Sequence, residues 1–189
     1  MSGRLTTWFP VVLMTMLAML TFWLDQTVQD PQSQRGQNTR HAQDYWIENF
    51  SAQQLGEDGL PLNMLTAAKM MHFPDNDTSE LINPRFVSLD KSRPAVEIKA
   101  RQGLLTGRGE KIVFSDNVEV RREAQKDSSW LTLSTDFLQV EPDNQFAKTH
   151  RPVTIRTPST VITATGMEMN NKSQVLKLLS SVKGQYAQP

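Results

Sequence analysis

Hydrophobic and polar residues alternate along this chain in two different ways. Residues 5–24, LTTWFPVVLMTMLAMLTFWL, form one uninterrupted uncharged run, mostly large and apolar. Beyond it the apolar positions come in short period-two alternations: Val96-x-Ile98, Val118-x-Val120, Leu131-x-Leu133, Val153-x-Ile155, Met167-x-Met169 and Leu176-x-Leu178. Period two with Val, Ile, Thr and Phe predicts strands. Turn chemistry separates them, at Glu57-Asp58-Gly59, Pro74-Asp75-Asn76-Asp77, Gly107-Arg108-Gly109, Pro142-Asp143-Asn144 and Asn170-Asn171-Lys172. No long stretch after Tyr45 has helical spacing, so an all-β sandwich, barrel or solenoid is expected.

Twenty helical residues rise roughly 30 Å, the thickness of a bilayer core. Residues 5–24 therefore predict a transmembrane helix, with Pro10 near its start and Trp8 and Trp23 near its two ends. A cleaved signal peptide would end in small residues, whereas this run ends Thr21-Phe22-Trp23-Leu24. A buried soluble helix is seldom apolar all round at this length. Arg4 and the amino terminus flank one side and Asp25 the other, which places a tip of residues 1–4 in the cytoplasm and the body outside. Residues 25–44, rich in Gln and nearly free of apolar side chains, have the composition of a tether. The body is expected over residues 45–189.

The body repeats itself. LTAAKMMHF from Leu65, IKARQGLLT from Ile98, LSTDFLQVE from Leu133 and ITATGMEMN from Ile162 each place a small residue two positions after an aliphatic one. Those small residues, Ala67, Ala100, Thr135 and Ala164, are 33, 35 and 29 positions apart. A second set, Phe86, Val118, Val153 and Val182, is spaced by 32, 35 and 29. Three segments resume apolar character five positions after the first aliphatic residue, at Met70, Leu138 and Met167; Gly103 breaks this pattern. Five is odd, so a bulge or corner must intervene if both residues are to share a face. The unit is expected to be a strand, a bend, a strand, a turn and a return strand, stacked on its neighbours because it cannot bury its apolar face alone. Whether the facing sheets close into a core or leave an open apolar trough is not decided by the pattern.

Composition narrows the chemistry. Twenty basic residues balance twenty acidic ones; past Leu24 the counts are 19 and 20. A neutral body lacks the concentrated basic face that nucleic acid requires. With no cysteine, thiolate catalysis, disulfides and Cys-based metal sites are excluded. His41, His72 and His150 are scattered without ligand spacing, no phosphate loop precedes a helix, and no Gly-x-Ser-x-Gly elbow occurs. The expectation is a protein that is not an enzyme and carries no cofactor and no metal. Asn49-Phe-Ser, Asn76-Asp-Thr and Asn171-Lys-Ser match a glycosylation pattern that arises readily by chance. The basic residues between Lys99 and Lys126 (Arg101, Arg108, Lys111, Arg121 and Arg122 among them) interleave with Glu97, Glu110, Glu119 and Glu123, as on a solvated face; contact with lipid phosphates is the other reading.

One anchor, a polar tether and repeated β units together resemble the LptC family, the bitopic inner-membrane components of lipopolysaccharide transport in Gram-negative bacteria. The resemblance is carried by Ala100-Arg101-Gln102-Gly103-Leu104-Leu105 through Phe114-Ser115-Asp116-Asn117-Val118-Glu119-Val120, by Ile162-Thr163-Ala164-Thr165-Gly166-Met167 through Val182-Lys183-Gly184-Gln185-Tyr186, and by the stretch from Asn49 to Pro61. It implies a twisted β-jellyroll of two splayed antiparallel sheets, preceded by one transmembrane helix, in the inner membrane with a periplasmic domain. It implies that lipopolysaccharide extracted by LptBFG passes along an apolar groove to LptA. The lining is then expected from Leu65, Ile98, Phe114, Leu131, Leu133, Leu138, Val153, Ile155, Ile162, Met167 and Met169. The jellyroll of LptF would meet the N-terminal edge and LptA the C-terminal edge, where Leu176, Leu178, Val182 and Tyr186 lie. The alternative is a membrane-tethered scaffold with a closed β core that binds only protein.

Overall fold

The computed structural model describes residues 3–28, 43–89, 94–124 and 129–186. The chain divides into two compact units, Met1–His41 and Ala42–Pro189.

The first unit contains one helix, α1 (Gly3–Val28), of 26 residues with Pro10 inside it. The hydroxyls of Thr15 and Thr21 donate back to the carbonyls of Val11 (2.5 Å) and Leu17 (2.7 Å), so these polar groups are satisfied within the helix. The helix continues through residues 25–28, four positions into the expected tether. Among the described residues no helix is long and apolar enough to cross a membrane, which departs from the expected span over 5–24. The tip residues 1–2 and tether residues 29–42 lie outside the described residues.

The second unit is built from antiparallel strands: β1 (Tyr45–Leu55), β2 (Pro61–Phe73), β3 (Thr78–Ile82), β4 (Arg85–Ser88), β5 (Val96–Lys99), β6 (Gln102–Thr106), β7 (Lys111–Arg122), β8 (Leu131–Glu141), β9 (Phe146–Arg156), β10 (Thr160–Asn170) and β11 (Val175–Tyr186). Each of the five expected turns falls between consecutive strands, at β1–β2, β2–β3, β6–β7, β8–β9 and β10–β11.

The long strands bend in the middle, and the two halves of each join different ladders. In β2, residues 69–73 pair with β3 while 63–66 pair with β4. In β7, residues 111–115 pair with β6 while 119–122 pair with β5. The pairing of β7 with β8 shifts register between Ser115 and Val118, β8 with β9 between Thr135 and Gln139, and β10 with β9 between Thr165 and Met167. One ladder therefore runs through β3, β6 and the 137–141 half of β8. The other runs through β4, β5 and the 131–135 half. β1 and β11 stand at opposite ends of both.

The repeat anchors explain the bends. Ala67, Ala100, Thr135 and Ala164 sit at the corners, between the stretches that join different ladders. The corners are tied to one another: Asn83 N–H donates to the Arg101 carbonyl (2.8 Å), Arg101 N–H to the Asp116 carbonyl (2.9 Å), and the Thr135 hydroxyl to the Pro152 carbonyl (2.9 Å). Several corners use a left-handed residue, including Asn83 (φ 51°), Asp116 (φ 62°), Asn117 (φ 56°) and Gly166 (φ 80°). Because of the corners, residues five apart share a face: Leu65 with Met70, and Leu133 with Leu138, are all buried. Gly103 occupies the matching place in its own strand. A Cβ there would stand 3.0 Å from the Pro84 ring and 3.4 Å from Leu81, so its neighbours already fill that volume.

Candidate functional site

Adjacent strands place like residues opposite one another, so the inward faces form continuous rows. In the first ladder Met70, Leu81, Gly103, Phe114 and Leu138 are successive partners. In the second, Leu65, Phe86, Ile98, Val120, Leu133, Ile155 and Ile162 are. Buried members of both rows belong to one hydrophobic cluster. A third row lies nearer the lip of the second ladder: Gln54, Asn63, Ser88, Val96, Arg122 and Leu131.

The deep interior is filled. Phe114, Val118, Leu138, Val153 and Met167 are at most 2% exposed. Room remains in two clefts. One, about 100 Å³, has Ile98, Leu133, Leu138, Met167 and Met169 in its wall; the other, about 350 Å³, includes Phe50, Leu65, Leu105 and Ile112. Asn63, Phe86 and Pro142 border both. The smaller volume is below the ~150 Å³ that holds a benzene-sized guest, and the larger reaches only the low end of ligand pockets, roughly 300 Å³. The interior as it stands therefore has limited room for hydrocarbon guests.

All eleven residues expected to line a groove face inward, but they do not share one surface. Ile98, Leu133, Leu138, Met167 and Met169 line the smaller cleft and Leu65 the larger. Phe114, Val153 and Ile155 are core residues, while Leu131 and Ile162 are half-buried against that core. The expected list passed over Phe86, Val96, Val120, Val140 and Phe146, which line the smaller cleft. The alternations Val96-x-Ile98 and Val118-x-Val120 already carried the signal for two of them. At the C-terminal edge, Leu178 packs on the core, whereas Leu176, Val182 and Tyr186 are exposed.

A polar chain crosses the cleft mouth. Asn63 Nδ2 donates to Gln54 Oε1 (2.7 Å), and Gln54 Nε2 donates to Asp143 Oδ1 (2.9 Å). Gln54 stands on β1 in the second ladder and Asp143 in the β8–β9 turn that ends the first. The bond thus joins the two lips between residues 89 positions apart. Glu141, also on the cleft wall, accepts from Asn144 (3.0 Å) and Gln139 (2.9 Å), which hold its carboxyl below the usual glutamate range.

The outer face carries ordinary ion pairs. Glu97 accepts from Arg85 and pairs with Lys99 at 3.0 Å; the Arg85 bond, opposed by partial burial and reinforced by Lys99, lowers its pKa. Arg121 pairs with Glu119 at 2.8 Å. His72 stacks on Tyr45 and meets the Ser79 hydroxyl at 3.2 Å, and His150 leans on Phe137. Among the described residues no group of three or more His, Asp or Glu is placed to hold a metal. His41 and Lys126 lie outside the described residues.

Two bent antiparallel ladders, joined at corners around an apolar interior and flanked by β1 and β11, define a β-jellyroll. Its fold matches the crystal structure of LptH, the LptA-homologous periplasmic component of the lipopolysaccharide transport device of Pseudomonas aeruginosa. That likeness has a TM-score of 0.53 at 6% identity over 67% of this chain and 95% of that one. No curated protein matches by sequence. Residues 11–187 match the family model for LptC-related lipopolysaccharide assembly, and the chain belongs to that family. Its role accordingly lies in lipopolysaccharide transport.

Proposed function

We propose that this chain is an inner-membrane relay that receives lipopolysaccharide from LptBFG and passes it to LptA. The observation that carries the reading is the pair of inward apolar rows, which between them cross β2 to β10, with β1 and β11 at the two edges. Hydrocarbon exposed to water costs roughly 0.8 kcal/mol per methylene. A continuous apolar strip removes that cost along a path without any chemical step. No catalytic group is needed in this reading, and ATP hydrolysis belongs to the partner complex.

The anchor is residues 5–24 within α1, with residues 1–4 in the cytoplasm, residues 25–44 as tether and residues 45–189 in the periplasm. The edges serve the partners. β1 and β11 each pair on one side only, which leaves rows of N–H and C=O groups for strand addition. In this reading the LptF jellyroll adds to β1 and LptA adds to β11 near Leu176, Leu178, Val182 and Tyr186.

A photo-crosslinking residue at Leu133 or Ile155 is expected to capture lipopolysaccharide in cells, and one at Thr132 or Thr154 is not. Capture only at the threonines would reverse the inward assignment. Deleting residues 174–189 is expected to abolish co-purification with LptA while the chain stays in the inner membrane. The packed interior favours a second reading, a tethered scaffold with a closed core that binds only protein. It predicts no lipid crosslink at any inward position.

A further inference from the structure

Arg122 stands where the fold gives no reason for a cation. It follows Val118 and Val120 at period two on β7, so it shares their inward face. Its ladder partners are Val96 on β5 and Leu131 on β8, both packed against the hydrophobic core. In the inward rows described above, Arg122 alone carries a full charge. Its neighbour Arg121 points the other way and pairs with Glu119.

One donor of the guanidinium is also unsatisfied. Arg122 Nε is shielded from solvent and has no hydrogen-bond partner among the described residues. The carboxylates on nearby strands are committed elsewhere: Glu97 to Arg85 and Lys99, Glu119 to Arg121. A shielded donor on a charged group without an acceptor is costly, and such a group calls for an anion from outside the chain. Val96, its partner across the ladder, is part of the smaller cleft's wall. The cation therefore stands beside a residue of the apolar cleft's wall, an arrangement that suits an amphiphile with an anionic head and hydrocarbon tails.

We propose that Arg122 receives a phosphate of the lipid headgroup while the acyl chains lie beyond it along Val96, Ile98 and Leu133. A planar guanidinium offers parallel N–H donors that match a phosphate in a fork no lysine reproduces. This inference rests on the lipid-carrying reading and adds to it the group that sets the depth and direction of the lipid.

The test uses the full chain in membranes with a photo-crosslinker at Leu133. The probes are phosphorylated lipid A, the same lipid A after phosphatase treatment, and inorganic phosphate. Arg122→Met is expected to reduce capture of phosphorylated lipid A about tenfold, the size of one lost charge-assisted bond, and to leave capture of the dephosphorylated lipid unchanged. Arg122→Lys is expected to fall between, and it carries the test should Arg122→Met not fold. Equal capture of the two lipids by the wild type, or an equal loss of both in the methionine variant, overturns the assignment and makes Arg122 a stem that only covers Val96 and Leu131. Stabilisation of the wild type, and not of Arg122→Met, by inorganic phosphate alone, with no preference between the lipids, marks a free-phosphate site and overturns it too. If the wild type captures neither lipid, the lipid-carrying reading itself falls.

Discussion

Bridging the two lips tests whether lipid enters by parting the ladders. The only described side-chain bond that joins Gln54 to the β8–β9 turn is the 2.9 Å contact with Asp143, and Asn63 holds the Gln54 carbonyl at 2.7 Å so that its amide points across the mouth. One such bond contributes about 1 kcal/mol net, because water competes for both partners. Removing it with Gln54→Ala should shift the open-to-closed balance about fivefold toward open. Capture at a crosslinker placed at Leu133 should rise by a similar factor at limiting lipid. The opposite perturbation replaces Gln54 and Asp143 with cysteine and joins them with a short bismaleimide. The chain has no cysteine of its own, so the reagent reacts only at the two chosen places. The bridged protein, verified by mass, should capture lipid at background level, while each single-cysteine variant treated with the same reagent should keep normal capture. The reasoning rests on volume: clefts of about 100 and 350 Å³ are small for a lipid with several acyl chains, so joined lips should restrict its entry. Undiminished capture by the bridged protein would show that the mouth between Gln54 and Asp143 is not the way in.

Gly166→Ala should lower the melting temperature, since Gly166 holds φ +80° and an added Cβ would lie 2.9 Å from Leu179 Cδ1; the strain is about 1–2 kcal/mol, read by thermal unfolding, and an unchanged melting temperature would deny that the β10 corner needs glycine. Glu97 has a lowered pKa in the folded chain, chiefly through Arg85, so its contribution to stability is present above the ordinary glutamate value of 4.5 and is lost as pH falls through the lower folded value. The stability gap between wild type and Glu97→Gln should therefore be largest near neutrality and close on acidification; a gap that widens in acid would reverse the sign. Phe114, fully buried at the centre of the first ladder's row, should cost about 3–5 kcal/mol when cut to alanine, measured by denaturant unfolding.

The repeat was legible before the fold because both of its anchors are set by local backbone geometry. Ala67, Ala100, Thr135 and Ala164 fall at the corners, and Val118 and Val153 restart the inward row just after a corner. Those demands recur in each unit, so they leave a period. The cleft mouth leaves none. Gln54, Asn63 and Asp143 are ordinary polar residues, and only the stacking of distant units brings Gln54 to a turn 89 positions away. Gly103 shows the same limit from the other side. It broke the pattern in the sequence, and the volume that explains it belongs to Leu81 and Pro84, on and beside a strand it joins only in the folded ladder. The division of inward residues into core and cleft wall was hidden for a related reason. Period two assigns a face, whereas depth depends on how closely the opposite ladder approaches.

The ends of the rows carry the consequence for transport. Edge strands in stable β proteins are usually blunted by charge, proline or bulges. Here β1 has Glu48 as its single charge and β11 has Lys177 and Lys183, and neither contains proline. Inward apolar residues reach these strands: Met70 is opposite Ile47, and Met169, packed against the core, is opposite Leu176. Ile47 is 40% exposed and Leu176 39%, because no further strand among the described residues covers them. A strand added at either edge would hydrogen-bond the backbone and, in the same register, lay its own inward residues against these exposed ones. The pairing that holds a partner would then also extend the apolar strip into it. Affinity and continuity of the lipid path would come from one contact, and a register slip of a single residue would break the path while preserving most of the hydrogen bonds.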